Sequence, residues 1–468
     1  MTFNFKSLYS ASYMIREEQK QGVIPEDKKI YKNTWNIAFP AMMDSFLVSL
    51  VSMMDTIMVG GLGSAAIAAV AITNQPKFII LATFIAMNVG VTAVVARRRG
   101  EGDRAGANRA LGQAVSISML LSIIISALGF IFARPLLIFA GSQPDMIDAS
   151  VIYFKILMIG IPFTAVTLCI NAAQRGSGNT KIAMRINLTA NIINVIFNFL
   201  LINGKFGFPA LGIAGAAIAT VLGNIVGFFM AASSLMHRDQ FLRLNKKLLF
   251  PFDKTIIKPI FNIALSAGVE QIFMRIGFFT YIIIVASLGT TELAAHNICM
   301  NLVNISFAFS DGLGVSASSL IGQSLGKARS DLAMIYGKVC QRISLVIALV
   351  MFLFFTLGGK YMVMLFSREA EILAMASPLL LIIAINTPFQ YSQTIFSSGL
   401  RGAGDTKFTA FVAMISIGII RPGLSWFLCY PVGLGLIGAW LGFLSDQLVR
   451  FTLSYYRFHR GNWYSIKV

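Results

Sequence analysis

The sequence predicts an all-α polytopic membrane protein: twelve transmembrane helices in two six-helix lobes, related by pseudo-two-fold symmetry along the membrane normal. Three observations predict it, namely the apolar composition, the number of long apolar stretches and an internal repeat. Of the 468 residues, 56% are hydrophobic and 12% are charged, and the mean hydropathy is +0.74. Soluble domains carry about 25% charged residues. Lipid is therefore the expected surroundings of most of the chain.

Twelve apolar stretches are long enough to cross a bilayer, because a helix needs roughly 20 residues to span its hydrocarbon core. The runs are continuous rather than alternating, which favours helices over transmembrane strands. The stretches are 35–60, 64–96, 108–132, 146–172, 181–204, 210–235, 256–287, 290–322, 334–358, 370–400, 407–430 and 433–456.

The distribution of basic residues predicts the orientation. Of the 38 Lys and Arg residues, 30 lie on the side of the two termini, five lie on the opposite side and three lie inside spans. Cytoplasmic loops carry the excess of Lys and Arg, so we expect both termini to be cytoplasmic. The net charge of +18 then reflects topology and needs no nucleic-acid partner.

The apolar spans and the basic segments between them divide the chain into five parts. These are a cytoplasmic N-terminal segment 1–34, an N-lobe 35–235 with helices 1–6, a basic cytoplasmic interlobe loop 236–258, a C-lobe 259–456 with helices 7–12, and a cytoplasmic tail 457–468.

No cofactor, structural metal site or enzymatic centre is predicted. An enzyme needs a clustered nucleophile, metal or acid–base pair near one surface, and no such cluster stands out. Each cysteine lies in an apolar run, which is typical of a small buried side chain rather than a disulfide or metal ligand. The cysteines are Cys169, Cys299, Cys340 and Cys429, and the three scattered histidines are His237, His296 and His459.

The chain repeats itself at an offset of 226 residues. The clearest match is Arg175–Lys181 (RGSGNTK) against Arg401–Lys407 (RGAGDTK), which are identical at five of seven positions. Each copy contains six spans, so both enter the membrane in the same sense, as in secondary transporters with parallel repeats. We expect each loop to be a turn between helices, with glycine at positive φ and the arginine at the lipid headgroups. A phosphate-binding loop is disfavoured because no strand precedes it.

Several motifs in this order resemble the multidrug and toxic compound extrusion (MATE) family, bacterial type, over about residues 33–456. They are Met53–Gly63 (MMDTIMVGGLG), Asn194–Asn198 (NVIFN), Gly322–Gly326 (GQSLG) and the two Arg-Gly-x-Gly-x-Thr loops. The resemblance implies an antiporter that exports organic, often cationic, compounds against inward flow of H+ or Na+.

A candidate cation-coupling site lies in the outer half of the N-lobe. Asp55 is close to the end of span one, Asn194 and Asn198 share one face of span five, and Thr220 lies in the returning span six. A carboxylate in hydrocarbon is costly and so takes up a proton or a cation such as Na+. The resemblance matches Asp55 and Asn198 to the N-lobe cation site, although the second position is often Asp in the family. Alternatively, Asp55 caps or anchors span one.

A candidate substrate or second cation site lies in the C-lobe. Glu270 is in the middle of span seven beside Gln271, and the resemblance matches it to a C-lobe acid implicated in cation or drug binding. Its usual partner acid in span ten is replaced by Gln390, close to Asn386. The repeat maps Glu270 onto Asp44, which joins this group. Two alternatives remain: Glu270 pairs with Arg275, and Asp44 makes a structural contact near Lys77.

Three further charged residues fall in apolar stretches. Asp311 precedes two glycines and marks either a packing point or a binding position. Asp446 lies four residues before Arg450, the spacing of a structural pair on one helix face. Arg421 precedes Pro422, and we expect it to satisfy backbone carbonyls that the proline leaves free.

Other membrane functions stay open. A flippase for lipid-linked saccharides belongs to a related superfamily but is expected to carry a row of cavity cations, whereas the intramembrane charge here is mixed. A channel is possible in principle. We expect a monomer whose partners are small organic, chiefly cationic, substrates and membrane lipid.

Overall fold

The computed structural model describes residues 9–144, 146–236, 240–244, 252–367 and 369–466. Residues 237–239 and 245–251 of the predicted basic loop lie outside these ranges. Within them the chain is helical and no strand occurs. The long helices are α1 Asp27–Gly60, α2 Ser64–Glu101, α3 Arg104–Ile131, α4 Ile147–Gly176, α5 Thr180–Leu201, α6 Gly212–Ser234, α7 Lys254–Ala286, α8 Thr290–Gly326, α9 Ser330–Met364, α10 Ala370–Gly402, α11 Thr406–Cys429 and α12 Gly435–Arg460.

The twelve long helices have the lengths that a membrane protein requires. In the described part of the chain, eleven of them are long and apolar enough to cross a bilayer. The twelfth, α12, has 26 residues and would extend about 39 Å at 1.5 Å per residue, but it carries Asp446 and several arginines. The predicted fold of twelve helices in two lobes is confirmed.

The helices group into two compact units. The N-terminal unit is Met43–Ala264, and the C-terminal unit is the chain from Leu265 onward together with the stretch up to Met42. Both boundaries fall inside long helices, α1 and α7, so each of these helices contributes to both units. Asp44 and Asp55 on α1 thus belong to the N-terminal unit, and Glu270 on α7 belongs to the C-terminal unit.

The N-terminal segment that precedes α1 is part of the C-terminal unit. Its residues Met14 and Ile15 are buried in the core of that unit. The Lys338 Nζ donates to the carbonyl of Met14 at 2.6 Å, and the backbone N–H of Gln21 donates to Asp331 at 3.1 Å. The segment is therefore tied to the beginning of α9 at two points.

The internal repeat reappears as matching close approaches between helices. At the end of α4, a Cβ on Gly176 would lie 2.6 Å from the carbonyl oxygen of Thr92 on α2. At the end of α10, a Cβ on Gly402 would lie 2.6 Å from the Cα of Ser318 on α8. Both pairs are related by the offset of 226 residues. Only glycine lets these backbones approach so closely.

We predict that Gly402→Ala destabilises the protein, by about 1–3 kcal/mol as for other overpacked cores. The added methyl group would overlap the backbone of Ser318, which cannot rotate away. The matched control is Gly423→Ala on α11, because a Cβ there meets nothing within 4 Å. Thermal unfolding of the purified variants in detergent measures both effects. Equal melting temperatures for the two variants would contradict the packing argument.

Candidate functional site

Asp55 lies on α1, five residues before the helix ends at Gly60, and its side chain is half-buried. The Asn198 Nδ2 donates to Asp55 Oδ1 at 2.6 Å. With the Asn194 amide oriented so that its nitrogen faces the carboxylate, that nitrogen donates to the same oxygen at 2.8 Å. Two buried amides from α5 therefore hold one oxygen of this carboxylate.

Thr220 on α6 completes the cluster. In the same orientation, the Asn194 carbonyl oxygen accepts hydrogen bonds from the hydroxyl and the backbone N–H of Thr220, each at 3.1 Å. The structure thus brings together all four residues that the sequence placed in the N-lobe site. They come from α1, α5 and α6 and form a chain of contacts from Thr220 through Asn194 to Asp55.

One acceptor in this cluster has no hydrogen-bond partner among the described residues. It is the Oδ1 atom of Asn198, which is buried, and the Asn198 side chain is only 1% exposed. A buried polar atom without a partner costs free energy. It lies on the amide whose nitrogen contacts Asp55. A carboxylate and a free amide oxygen at one place are the ligand types that hard cations take.

Lys77 on α2 is the charged group that acts on Asp55. The two side chains interact electrostatically, although they form no direct ion pair among the described residues. The sequence suggested that Lys77 lies near Asp44 instead. A partly buried ammonium close to a carboxylate offsets part of its charge. Lys77 therefore lowers the affinity of Asp55 for any other cation.

Asp44 is held by the first Arg-Gly loop. The Arg175 Nη2 donates to Asp44 Oδ2 at 2.6 Å, and the Asn187 Nδ2 lies 2.9 Å from Oδ1 and 3.0 Å from Oδ2. The Asn171 amide in turn donates to the Asn187 oxygen at 2.9 Å. Asp44 is 3% exposed, and its polar contacts come from within the N-terminal unit.

Glu270 occupies the equivalent position in the C-terminal unit and meets the second Arg-Gly loop. The Arg401 Nη1 lies 3.7 Å from Glu270 Oε1, and the Thr409 hydroxyl donates to Oε2 at 2.9 Å. Its charged partner is thus Arg401 rather than Arg275. The offset of 226 residues relates both acids and both arginines, so each unit carries the same pair of charges.

The sequence predicted two features of each Arg-Gly loop, a turn with glycine at positive φ and an arginine at the lipid headgroups, and only the first is observed. Gly178 and Gly404 have φ of 86° and 92°, which confirms the turn with glycine in the left-handed region. The expectation that Arg175 and Arg401 face lipid headgroups was wrong. A carboxylate buried on the first helix of each repeat attracts the guanidinium more strongly than the surface does.

The remaining members of the predicted second site do not form one cluster with Glu270. Asn386 is buried, and within the described part of the chain neither of its amide atoms has a hydrogen-bond partner. Gln390 is also buried, and its Nε2 has no partner in the same ranges. No hydrogen bond among the described residues joins Gln271, Asn386 or Gln390 to Glu270.

Asp311 on α8 interacts electrostatically with Arg401 and Arg450, and its side chain is exposed. Sequence reasoning considered Asp311 in isolation and did not connect it with these arginines. The periodicity of one helix shows which residues share its face, but it does not show which side chains of other helices oppose them.

Arg421 and Asp446 form a fully buried ion pair. The side chains of both residues are 0% exposed, and Arg421 contacts Asp446 Oδ2 through two of its nitrogens. The Arg450 Nε lies 3.2 Å from Asp446 Oδ1, which confirms the predicted Asp446–Arg450 pair. The expectation that Arg421 satisfies carbonyls near Pro422 was wrong, because a buried acid one helix away provides a stronger partner.

We predict that Asp44 and Arg175 are coupled in stability by about 1–3 kcal/mol, the range for residues in contact. The Arg175 side chain is 31% exposed, and solvent weakens its attraction to Asp44, which places the coupling in the lower part of that range. The measurement is a double-mutant cycle with Asp44→Asn, Arg175→Gln and the double variant, followed by thermal unfolding. Strict additivity of the two single effects would show that the observed contact carries no free energy.

Comparison with known proteins identifies the family. The MatE family model matches residues 40–200 and 267–427, one match in each repeat and together more than half of the chain. A protein of Thermotoga maritima named "Probable multidrug resistance protein NorM" is 26% identical over 454 residues, covering 97% of this chain and 95% of its own. The transporter YisQ of Bacillus subtilis, described as uncharacterized, is 27% identical over 94% of this chain and 96% of its own.

Solved structures show the same fold. A MATE family transporter of the MOP superfamily, determined in an outward-facing conformation, superposes with a TM-score of 0.86 at 21% identity and covers 92% of this chain and 96% of its own. A MOP superfamily transporter from Pyrococcus furiosus gives a TM-score of 0.86 at 20% identity over 94% and 97% of the two chains. The chain belongs to the multidrug and toxic compound extrusion (MATE) family of transporters.

Proposed function

We propose that this protein is a secondary active transporter that exports organic cations across the bacterial plasma membrane in exchange for H+ or Na+. Both termini are cytoplasmic in this proposal, and the protein works as a monomer. Relatives named for multidrug resistance support the substrate class. The cluster at Asp55 supports the coupling.

The observation that carries the proposal is the carboxylate of Asp55 beside the unpartnered oxygen of Asn198. A carboxylate within an apolar span costs about 2.5–3.5 kcal/mol on insertion scales, so a permanently charged one needs a compensating ligand. A proton neutralises it directly. A Na+ ion would take the carboxylate and the amide oxygen as ligands, in keeping with the preference of hard cations for oxygen.

Coupling then follows from differential affinity. The ion and the exported compound prefer opposite conformations, so binding of one shifts the equilibrium against the other. One monovalent cation moving down a potential of 100 mV releases about 2.3 kcal/mol. A neutral compound exchanged one for one could thereby be concentrated roughly fifty-fold, since 1.4 kcal/mol corresponds to a factor of ten. The one-for-one exchange of a monovalent organic cation moves no net charge, so the concentration gradient of the coupling ion alone drives it.

In the C-terminal unit we assign the organic cation to Glu270. Gln271, Asn386 and Gln390, which make no hydrogen bond to Glu270 among the described residues, would contribute only through contacts with the bound compound. The ion pair between Glu270 and Arg401 is loose, at 3.7 Å, so a substrate cation can compete for this carboxylate. Asp44, which is closely hydrogen-bonded to Arg175 and Asn187, we assign to holding its loop in place.

We predict that Asp55→Asn lowers gradient-driven export at least tenfold, because the amide can neither be protonated nor balance a cation. The measurement is efflux of a fluorescent organic cation from proteoliposomes under separately imposed H+ and Na+ gradients. Glu270→Gln is expected to weaken substrate binding. Asp148→Asn is the matched control, because Asp148 is an exposed acid paired with Arg134.

Export by Asp55→Asn at the wild-type rate under the same gradient would contradict the coupling role. Movement of a lipid-linked saccharide without movement of any organic cation would replace the proposal with the flippase. Flux that never proceeds against a substrate gradient would indicate a channel.

We also predict that Lys77→Met raises the affinity of Asp55 for the coupling ion several-fold. The substitution keeps the length of the side chain and removes the positive charge that competes for the carboxylate. The concentration of ion that gives half-maximal export measures the change. Lys360→Met, at an exposed position, should leave this concentration unaltered, and an unchanged value for Lys77→Met would refute the competition.

A further inference from the structure

The matching contacts of the two units allow their interiors to be compared position by position. In the N-terminal unit, the N–H of Leu211, just before α6, donates to the Leu201 carbonyl on α5 at 2.9 Å. In the C-terminal unit, the N–H of Leu434, just before α12, donates to the Leu428 carbonyl on α11 at 3.0 Å. These two contacts are counterparts. They fix which residues correspond on the last two helices of each repeat.

The correspondence on α11 differs from the repeat offset by one residue. Before residue 414 the offset is 226, as for Thr180 and Thr406, but it is 227 for Leu201 and Leu428. Between these points α11 contains a π-helical stretch, Met414–Ile420, and a π-bulge accommodates one inserted residue in an α-helix. Arg421, which follows this stretch, therefore corresponds to Asn194 rather than to Val195.

The surroundings of Arg421 correspond to those of Asn194. Its guanidinium lies 5.8 Å from the ring centre of Tyr281 and 4.7 Å from that of Phe443. Tyr281 on α7 corresponds to Asp55 by the offset of 226. Leu211 and Leu434 give an offset of 223 for the last helix of each repeat, so Phe443 on α12 corresponds to Thr220. The guanidinium thus lies in the C-terminal counterpart of the Asp55 site.

The acid of this counterpart comes from a different helix. Asp446 corresponds to Gly223, where a Cβ would lie 3.2 Å from the Cβ of Asn194. The N-terminal unit therefore places its carboxylate on α1 and amides on α5. The C-terminal unit places a guanidinium on α11 and the carboxylate on α12.

We propose that the Arg421 guanidinium permanently fills the C-terminal counterpart of the Asp55 site, so that only the N-terminal unit exchanges a cation there. Removing Arg421 then opens a second site, which takes a small planar organic cation of the guanidinium class. The first part rests on the proposed coupling role of Asp55, whereas the second part does not.

The chemistry of the pocket around Arg421 selects this ligand class. Asp446 offers a carboxylate oxygen to two N–H groups, and the rings of Phe278 and Phe443 lie 4.5 Å and 4.7 Å from the guanidinium carbon. Aromatic faces and a carboxylate favour a flat, weakly hydrated cation. A strongly hydrated ion such as Na+ gains little from the rings.

The first test is chemical rescue of Arg421→Ala, measured as thermal stability of the purified protein in detergent. Guanidinium chloride is added in the low millimolar range, far below the molar concentrations that unfold proteins. At five to ten times its Kd, the ligand should raise the melting temperature of Arg421→Ala by about 1–2 °C relative to equal NaCl. If Arg421→Ala can be purified in folded form only when guanidinium is present, that outcome supports the second site in the same way.

The controls for rescue are the wild type and the double variant Arg421→Ala, Asp446→Leu. Neither should respond to guanidinium, because the first retains its own guanidinium and the second lacks the carboxylate. An equal response of all three proteins, or no response of a folded Arg421→Ala, overturns the second site.

A second variant transfers the arrangement to the other unit. Asn194→Arg places a guanidinium beside Asp55, and gradient-driven export should fall to the level of Asp55→Asn while the melting temperature is kept. Asn194→Met, which removes the amide without adding charge, should retain more export. Wild-type export by Asn194→Arg overturns the inference. Loss of gradient dependence in the wild type itself would instead count against the proposed function, and the rescue experiment does not depend on transport.

Discussion

The cost of an unbalanced charge in an apolar interior governs the arrangement of the ionisable groups inside the described helices. Asp44, Glu270 and Asp446 each face an arginine from another helix or a loop. Asp55 differs, because buried amides rather than a guanidinium contact it. An acid that already has an arginine is compensated, whereas an acid held by amides keeps its charge available. This difference distinguishes Asp55 from the other three carboxylates, Asp44, Glu270 and Asp446.

The internal duplication gives two copies of each structural arrangement, and the two copies carry different interior residues. The acid and arginine at 44 and 175 return at 270 and 401, and the glycines at 176 and 402 permit the same close approach to the neighbouring helix. The scaffold is thus repeated closely. The interior positions near α5 and α11 have diverged, with amides in one copy and a guanidinium in the other.

The sequence predicted the fold from short-range patterns, and it predicted the N-lobe cluster from the depth of its residues together with the family resemblance. Apolar run length gives the helices, and the spacing of Asn194 and Asn198 puts them on one face near the outer end, at the depth of Asp55. The partners of Arg175 and Arg401 could not be predicted, because each acid lies on a different helix and the sequence pattern does not show which side chains of two helices face each other. The connection of Asn386 and Gln390 to Glu270 rested on the family resemblance, and it has no counterpart in the observed hydrogen bonds.

The π-helical stretch Met414–Ile420 has a consequence for how such duplicated genes diverge. One added codon within a regular α-helix would turn every later side chain by about 100°, but a π-helical stretch absorbs the added residue, so the later side chains keep their faces and only their numbering shifts. An ungapped comparison of the two halves then aligns Arg421 with a valine and hides the exchange of an amide for a charge. The added residue itself leaves the interior faces of the helix in place, so the two halves can be compared residue by residue only after it has been taken into account.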